Sequence, residues 1–239
     1  MWETTVDGRV LHFHLAGINN QNFIMRDEET GTWWQQVSGK AIHGPLKGRQ
    51  LKGVFHDEIS FAIWKSEQPQ GRVLKPDEHI AAAGNKYVPA NWEETVGRMR
   101  VVAGTDVDRR LGPRTLVIGI TVDGKAVAYP LTALQKQSPI IDMVGSAPVV
   151  LVLGEDKRSV RAFERTVDGR KLEFFQKTGQ DAGLQLIDLE TGSTWNFEGR
   201  AFAGPLAGRQ LKKVFVLEDY WFDWRLYHPD TTIYDLGPR

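Results

Sequence analysis

Thr5-Val6-Asp7-Gly8-Arg9 returns as Thr166-Val167-Asp168-Gly169-Arg170, and Gly44-Pro45-Leu46-Lys47-Gly48-Arg49-Gln50-Leu51-Lys52 returns as Gly204-Pro205-Leu206-Ala207-Gly208-Arg209-Gln210-Leu211-Lys212. Pairing 5–36 with 166–197 and 39–69 with 199–229 gives 27 identities in 63 positions. Such density over two stretches predicts two copies of one structural unit. Each copy opens on Val-Asp-Gly-Arg, and Val122-Asp123-Gly124-Lys125 is a third tetrapeptide of this kind. Asp-Gly between apolar or β-branched runs suits a two-residue hairpin loop, whose central residues both need φ > 0. Three hairpins are predicted: 2–5 with 9–15, 116–121 with 125–129, and 159–166 with 170–175. Asp7, Asp123 and Asp168 are then turn residues and not catalytic acids.

Each copy continues in the same order. A short apolar run, Phe23–Met25 or Leu184–Ile187, precedes Glu-Thr-Gly, a turn that delivers Trp34 or Trp195 onto the next strand. Gly-Pro-Leu-x-Gly makes a tight turn, because proline presets φ. Strands are predicted at Leu51–Phe55 and Leu211–Val216. A short helix carrying Trp64 or Trp224 stops near Pro69 or Pro229. Last strands are predicted at Arg72–Leu74 and Thr232–Tyr234. Between the copies, Trp92–Arg100 reads as a helix with Asn91 as N-cap. A further helix is expected near Leu131–Lys136. Pro148-Val149-Val150-Leu151-Val152-Leu153 is apolar on both faces and predicts a central, fully buried strand. The expected fold is β-rich α+β: a partial copy over 1–74, a connector over 75–114 with a short helix, and a nearly complete copy over 115–239. The two hairpin-based units are expected to form one pseudo-symmetric body.

These pieces resemble the bacterial and archaeal family known as domain of unknown function 3179. The resemblance rests on Val117–Leu131, the strand at 148–153, Asp-x-Glu-Thr-Gly-x-x-Trp at 27–34 and 188–195, and Gly-Pro-Leu-x-Gly at 44–48 and 204–208. A tryptophan with proline five residues on (64/69 and 224/229) completes it. It covers nearly all of 114–239, but only the later part of the family pattern over 2–74. The resemblance also implies a Cys-Pro-x-Cys-like segment just after the buried strand. Here that place reads Leu153-Gly154-Glu155-Asp156-Lys157, and in the first copy it lies before Met1, so no thiol role carries over. The family name implies no activity.

Composition narrows the function classes. The 239 residues are 41% hydrophobic and 10% aromatic, enough for a sizeable core. Thirty Lys+Arg balance thirty Asp+Glu, which gives no long-range pull on nucleic acid or an anionic membrane. Without cysteine there are no disulfides, thiolate metal sites or cysteine nucleophiles. No apolar stretch approaches the roughly 20 residues of a membrane span. Met1-Trp2-Glu3-Thr4-Thr5 is not a signal peptide, and the compartment stays open.

The most ligand-like cluster is Trp33, Trp34, Gln35 and Gln36. Alternation puts Trp33 and Gln35 on one face of a strand, Trp34 and Gln36 on the other. One tryptophan belongs in the core; the other offers an aromatic face beside amides, suited to sugars, peptides or small polar ligands. The second copy has Thr194 and Asn196 where the first has Trp33 and Gln35. His12 and His14 share a strand face and are the one close histidine pair, but a metal needs a third ligand. The second copy has Glu173 and Phe175 there, so the unit folds without them. No phosphate loop, dinucleotide fingerprint, nucleophile elbow or zincin motif occurs. The expectation is a non-enzymatic binding or scaffold module for a small polar ligand or protein partner, without cofactor. Two alternatives stand beside it: a hydrolase or transferase with a site between the copies near Trp34, and a metal-binding protein using His12 and His14.

Overall fold

All three Asp-Gly turns form with both central residues at positive φ. Asp7, Asp123 and Asp168 lie at 49°, 50° and 49°, followed by Gly8, Gly124 and Gly169 at 77°, 72° and 77°. The structure, a computed structural model, describes residues 1–19, 22–75, 91–101, 108–177 and 183–235. Most of the predicted connector lies outside the described residues. The protein is β-rich, with short helices and several sheets of antiparallel hairpins. Met1–Asp57 forms one compact unit and Glu58–Arg239 another.

In the first unit, β1 (Thr5–Val6) and β2 (Arg9–Val10) flank the Asp7-Gly8 turn. Four antiparallel strands follow in sheet order: β3 (Phe13–Asn19), β4 (Asn22–Asp27), β5 (Trp33–Gln35) and β6 (Lys40–His43). Val6, Leu11, Trp34, Ala41 and Leu51 form the core, with Trp2, Phe13, Met25 and Leu46 around it. Phe13 meets Trp34 edge-on, ring centroids 5.9 Å apart. Asp27 explains the Asp-x-Glu-Thr-Gly-x-x-Trp motif. Its buried carboxylate accepts from Thr30 N at 2.6 Å, Thr32 N at 3.1 Å and Trp34 Nε1 at 2.8 Å. One side chain therefore closes the turn and fixes the indole that fills the core.

The second unit begins with α1 (Phe61–Glu67); α2 (Trp92–Arg98) follows. A hairpin of β7 (Leu116–Val122) and β8 (Lys125–Pro130) leads to α3 (Leu131–Lys136). Then come β9 (Ile140–Val144), β10 (Ala147–Leu153) and β11 (Val160–Glu164). The Asp168-Gly169 turn joins β12 (Thr166–Val167) to β13 (Arg170–Lys171). A four-stranded sheet comprises β14 (Phe174–Gln176), β15 (Leu186–Asp188), β16 (Thr194–Trp195) and β17 (Ala201–Ala203). The chain ends through β18 (Lys212–Lys213), β19 (Leu217–Tyr220), α4 (Trp221–Tyr227) and β20 (Thr232–Ile233). The other sheet orders are β18-β11-β10-β9 and β19-β7-β8-β20, where β20 runs parallel to β8.

β10 is the predicted central strand, paired on both sides. Val149, Leu151 and Leu153 enter one apolar cluster, while Val150 and Val152 enter another with Phe163, Phe174 and Trp195. Both faces are buried, which is why no polar alternation shows in its sequence. Trp221 and Trp224 of α4 pack on Val117 and Ala128. A Cβ on Gly119 would lie 2.1 Å from the Trp224 ring, so only glycine lets the indole rest on that strand.

Several local expectations need correction. Leu51–Phe55 carries a single bridge, Gly53 to Trp2, because its neighbour is the irregular N-terminus: Glu3 N donates to Lys52 O and Val54 N to Met1 O. Arg72–Leu74 forms no strand, whereas the aligned Thr232–Ile233 has β8 to pair with. Asn91 precedes α2, but its side chain makes no capping bond. Trp64 is half-buried, unlike its aligned partner Trp224, which is buried; it stacks on exposed Phe61 at 5.5 Å.

Candidate functional site

Strand register builds the candidate site. β5 pairs Trp33 with Arg26 on one side and His43 on the other, and β4 pairs Arg26 with His14. His14, Arg26, Trp33 and His43 therefore form one row across four strands, and all four are exposed. Adjacent strands lie about 4.8 Å apart, so the row spans roughly 14 Å. Beside it runs a second row, Gly17, Ile24, Gln35 and Lys40. Neither row contains a carboxylate. Ile24, in the second row, is buried at 5% exposure.

Trp33 is 38% exposed, whereas its neighbour Trp34 is fully buried. Strand alternation explains the split: Trp34 points into the core, which leaves Trp33 outside. Gln35 lies on the Trp33 face, half-buried, and its Oε1 accepts from Ser38 Oγ at 2.6 Å. Gln36 is exposed, and its backbone carbonyl accepts from Trp2 Nε1 at 2.7 Å. Of the four residues singled out from sequence, the register brings Trp33 and Gln35 together and sends Trp34 into the core. Sequence reasoning missed the partners: Arg26, His14, His43 and Lys40 join Trp33 only through cross-strand pairing. Their spacing in the chain carries no such signal.

The Arg26 fork is held in place. Its Nε donates to Gly31 O at 3.3 Å. A Cβ on Gly31 would lie 2.9 Å from Arg26 Nη2, so the turn glycine also makes room for the guanidinium. Among the described residues, no ion pair engages Arg26, and nothing bonds Trp33 Nε1, the Lys40 ammonium or the imidazoles of His14 and His43. Two other cations of this unit are paired: Arg49 with Asp7 at 2.9 Å, Lys52 with Glu3 at 2.8 Å.

His12 lies outside the row. Its Nδ1 lies 2.6 Å from Glu29 Oε1, and that bond, with the carboxylate's charge, raises the imidazole above its ordinary pKa. The described residues contain no group of three or more His, Cys, Asp or Glu arranged to hold a metal ion. Asp27 is a structural acid. Burial pushes its carboxyl up, but bonds from Trp34, Thr30 and Thr32 outweigh this and hold it below the ordinary value.

A second cluster was not anticipated. Asp219 on β19 and Asp223 on α4 stand close in the second unit. Burial, then the charges of Asp223 and Glu58, push Asp219 up to about 8, against a bond from the Tyr220 backbone N–H. Asp223 is buried at 5% exposure. Their spacing around the start of a helix was overshadowed in sequence by Trp221 and Trp224.

No curated protein and no solved structure matches the chain. The resemblance noted from its motifs holds over almost the whole length, including the first stretch: residues 1–231 match the family described as protein of unknown function (DUF3179), and the chain belongs to that family.

Proposed function

We propose that this protein is a non-enzymatic binding module and that its recognition surface is the outer face of the β3–β6 sheet, centred on Trp33. The single observation that carries this is the row His14–Arg26–Trp33–His43, exposed and, among the described residues, without an ion pair. The layout behind it is an internal duplication: a partial copy over 1–74, a connector over 75–114 and a second copy over 115–239. The recurrence of one bond set supports the duplication. Asp27 and Asp188 each accept from the threonine three residues on and from a tryptophan Nε1 at 2.8 Å. In this reading the second copy retains the scaffold, and the first has added a binding face. The ligand is a small polar molecule or a polar segment of a partner, held by an aromatic face and adjacent donors. A ligand screen read by indole fluorescence and thermal shift tests it. Hits should be lost in Trp33→Ala and retained in Phe175→Ala, at the aligned row of the second copy. Hits indifferent to Trp33→Ala would end the proposal.

A second reading, acid–base chemistry, is favoured by one observation: Asp219 keeps its proton near neutral pH beside buried Asp223. A carboxyl that holds its proton beside a second, buried carboxyl suits a general acid. Hydrolase activity abolished by both Asp219→Asn and Asp223→Asn, in folded protein, would move the function there.

A further inference from the structure

Resting on the Trp33 face as a binding surface, we propose that its ligand is an acidic oligosaccharide bearing uronate carboxylates. The aligned row of the second unit is Phe175, Ile187, Thr194 and Ala203, which offers hydrogen bonds from one hydroxyl only. The first unit places a guanidinium, an indole and two imidazoles at those positions, with Lys40 in the next row. Every polar group added is a donor or can become one, and neither row holds an acid. An acceptor-rich, negatively charged ligand is the complement.

The geometry selects a sugar acid over a peptide. The row crosses the middle of a hydrogen-bonded sheet, so the backbone groups of β4 and β5 are engaged in ladders on both sides. An extended peptide gains its affinity from main-chain bonds at a sheet edge, and this face has none to give. A pyranose needs only side chains: its C–H face packs on an indole and its hydroxyls and carboxylate accept from donors around it. Arg26 and His43 flank Trp33 on either side, one strand away each, so a stacked ring has a guanidinium at one end and an imidazole at the other. Arg26 is held through Nε to Gly31 O, which leaves its two Nη groups for a bidentate carboxylate bond. The row's length of roughly 14 Å suits a short chain of residues and not a single sugar.

The test is titration calorimetry of the full chain with three probes: oligogalacturonate, neutral maltohexaose, and poly-L-glutamate. Oligogalacturonate should bind, and affinity should fall with added salt. Arg26→Ala and Trp33→Ala should each weaken it about tenfold or more, as expected for losing a charge-assisted hydrogen bond or an aromatic contact. Arg26→Lys should restore only part of the loss, because an ammonium cannot make the bidentate bond. Unchanged melting temperatures verify that the variants fold. Equal binding of maltohexaose, lost in Trp33→Ala, would overturn the acidic ligand while keeping the Trp33 surface. Binding of poly-L-glutamate in preference to the oligogalacturonate would assign the face to an acidic peptide instead. Uronate binding untouched by Trp33→Ala, or no binding of any probe, would overturn the proposal.

Discussion

Residues 27–34 and 188–195 use the same atoms for the same task, while the strand rows beside them share almost nothing. Asp27 and Asp188 each hold a threonine backbone N–H, a threonine hydroxyl and an indole. Each indole is completely buried, and each meets a phenylalanine edge-on, Phe13 at 5.9 Å and Phe174 at 5.7 Å. One face away, His14, Arg26, Trp33 and His43 stand against Phe175, Ile187, Thr194 and Ala203. Core packing constrains the first set, since a buried donor without its acceptor is costly. Solvent constrains the exposed row of the first unit weakly, so differences there are available to binding.

The strongest way to break this comparison is to remove the tryptophans that it treats as equivalent. Trp34→Ala and Trp195→Ala should each cost about 3–5 kcal/mol, as for other large buried aromatics. Denaturant unfolding monitored by circular dichroism measures this. A loss below about 1 kcal/mol at one of the two sites would show that the shared bonds do not carry shared weight.

The motif pair was legible in sequence because everything it needs is local. Asp27 reaches Thr30, Thr32 and Trp34 within eight residues, so a short pattern contains the whole device. The Asp-Gly turns and β10 were legible for similar reasons: φ preference and an apolar run are properties of adjacent residues. Trp33 could be flagged as the extra aromatic, but its neighbours could not. Arg26 is seven residues before it and His43 ten after, and only antiparallel register, shifted by the bulge between Trp33 and Trp34, sets them side by side. The failed strands show the same limit. Arg72–Leu74 has strand-forming residues, but a strand exists only where another offers its edge, as β8 does for β20.

The second region where the aligned stretches diverge is the approach to the helices. Asp219 and Asp223 replace Ile59 and Ile63, which pack against an apolar cluster. Folding raises the proton affinity of Asp219 from an ordinary 3.8 to about 8. Between those values the folded chain keeps a proton that the unfolded chain has released. The contribution of this group to stability is therefore full below about pH 4, declines as pH rises, and levels off above about pH 8. The slope is at most about 1.4 kcal/mol per pH unit. Asp219→Asn should gain on the parent steadily as pH rises, its advantage growing between pH 5 and pH 8 by at most about 4 kcal/mol, three pH units at the limiting slope. Parallel pH profiles for parent and variant, from thermal melts across pH 4–9, would mean that Asp219 is ionised in the fold and that the two stretches differ there only in surface charge.

The smallest expected effect is the sharpest for the binding face. Trp33→Thr installs in the first unit the residue that the second unit has at the aligned position. If Trp33 is dispensable for folding, the stability change should stay within about 0.5 kcal/mol, the usual range for surface substitutions. At 38% exposure and with no bond to its Nε1 among the described residues, Trp33 stands at the surface, unlike fully buried Trp34. The reciprocal Thr194→Trp is different, because Thr194 is 7% exposed and an indole there has less room. It should cost about 1–3 kcal/mol, as overpacking does. Chemical denaturation of the two variants reads both numbers. A near-neutral Trp33→Thr beside a costly Thr194→Trp would establish that the first unit holds an exposed aromatic that its fold does not require. A Trp33→Thr loss above about 2 kcal/mol would make the indole part of the core and remove the main support for a binding surface.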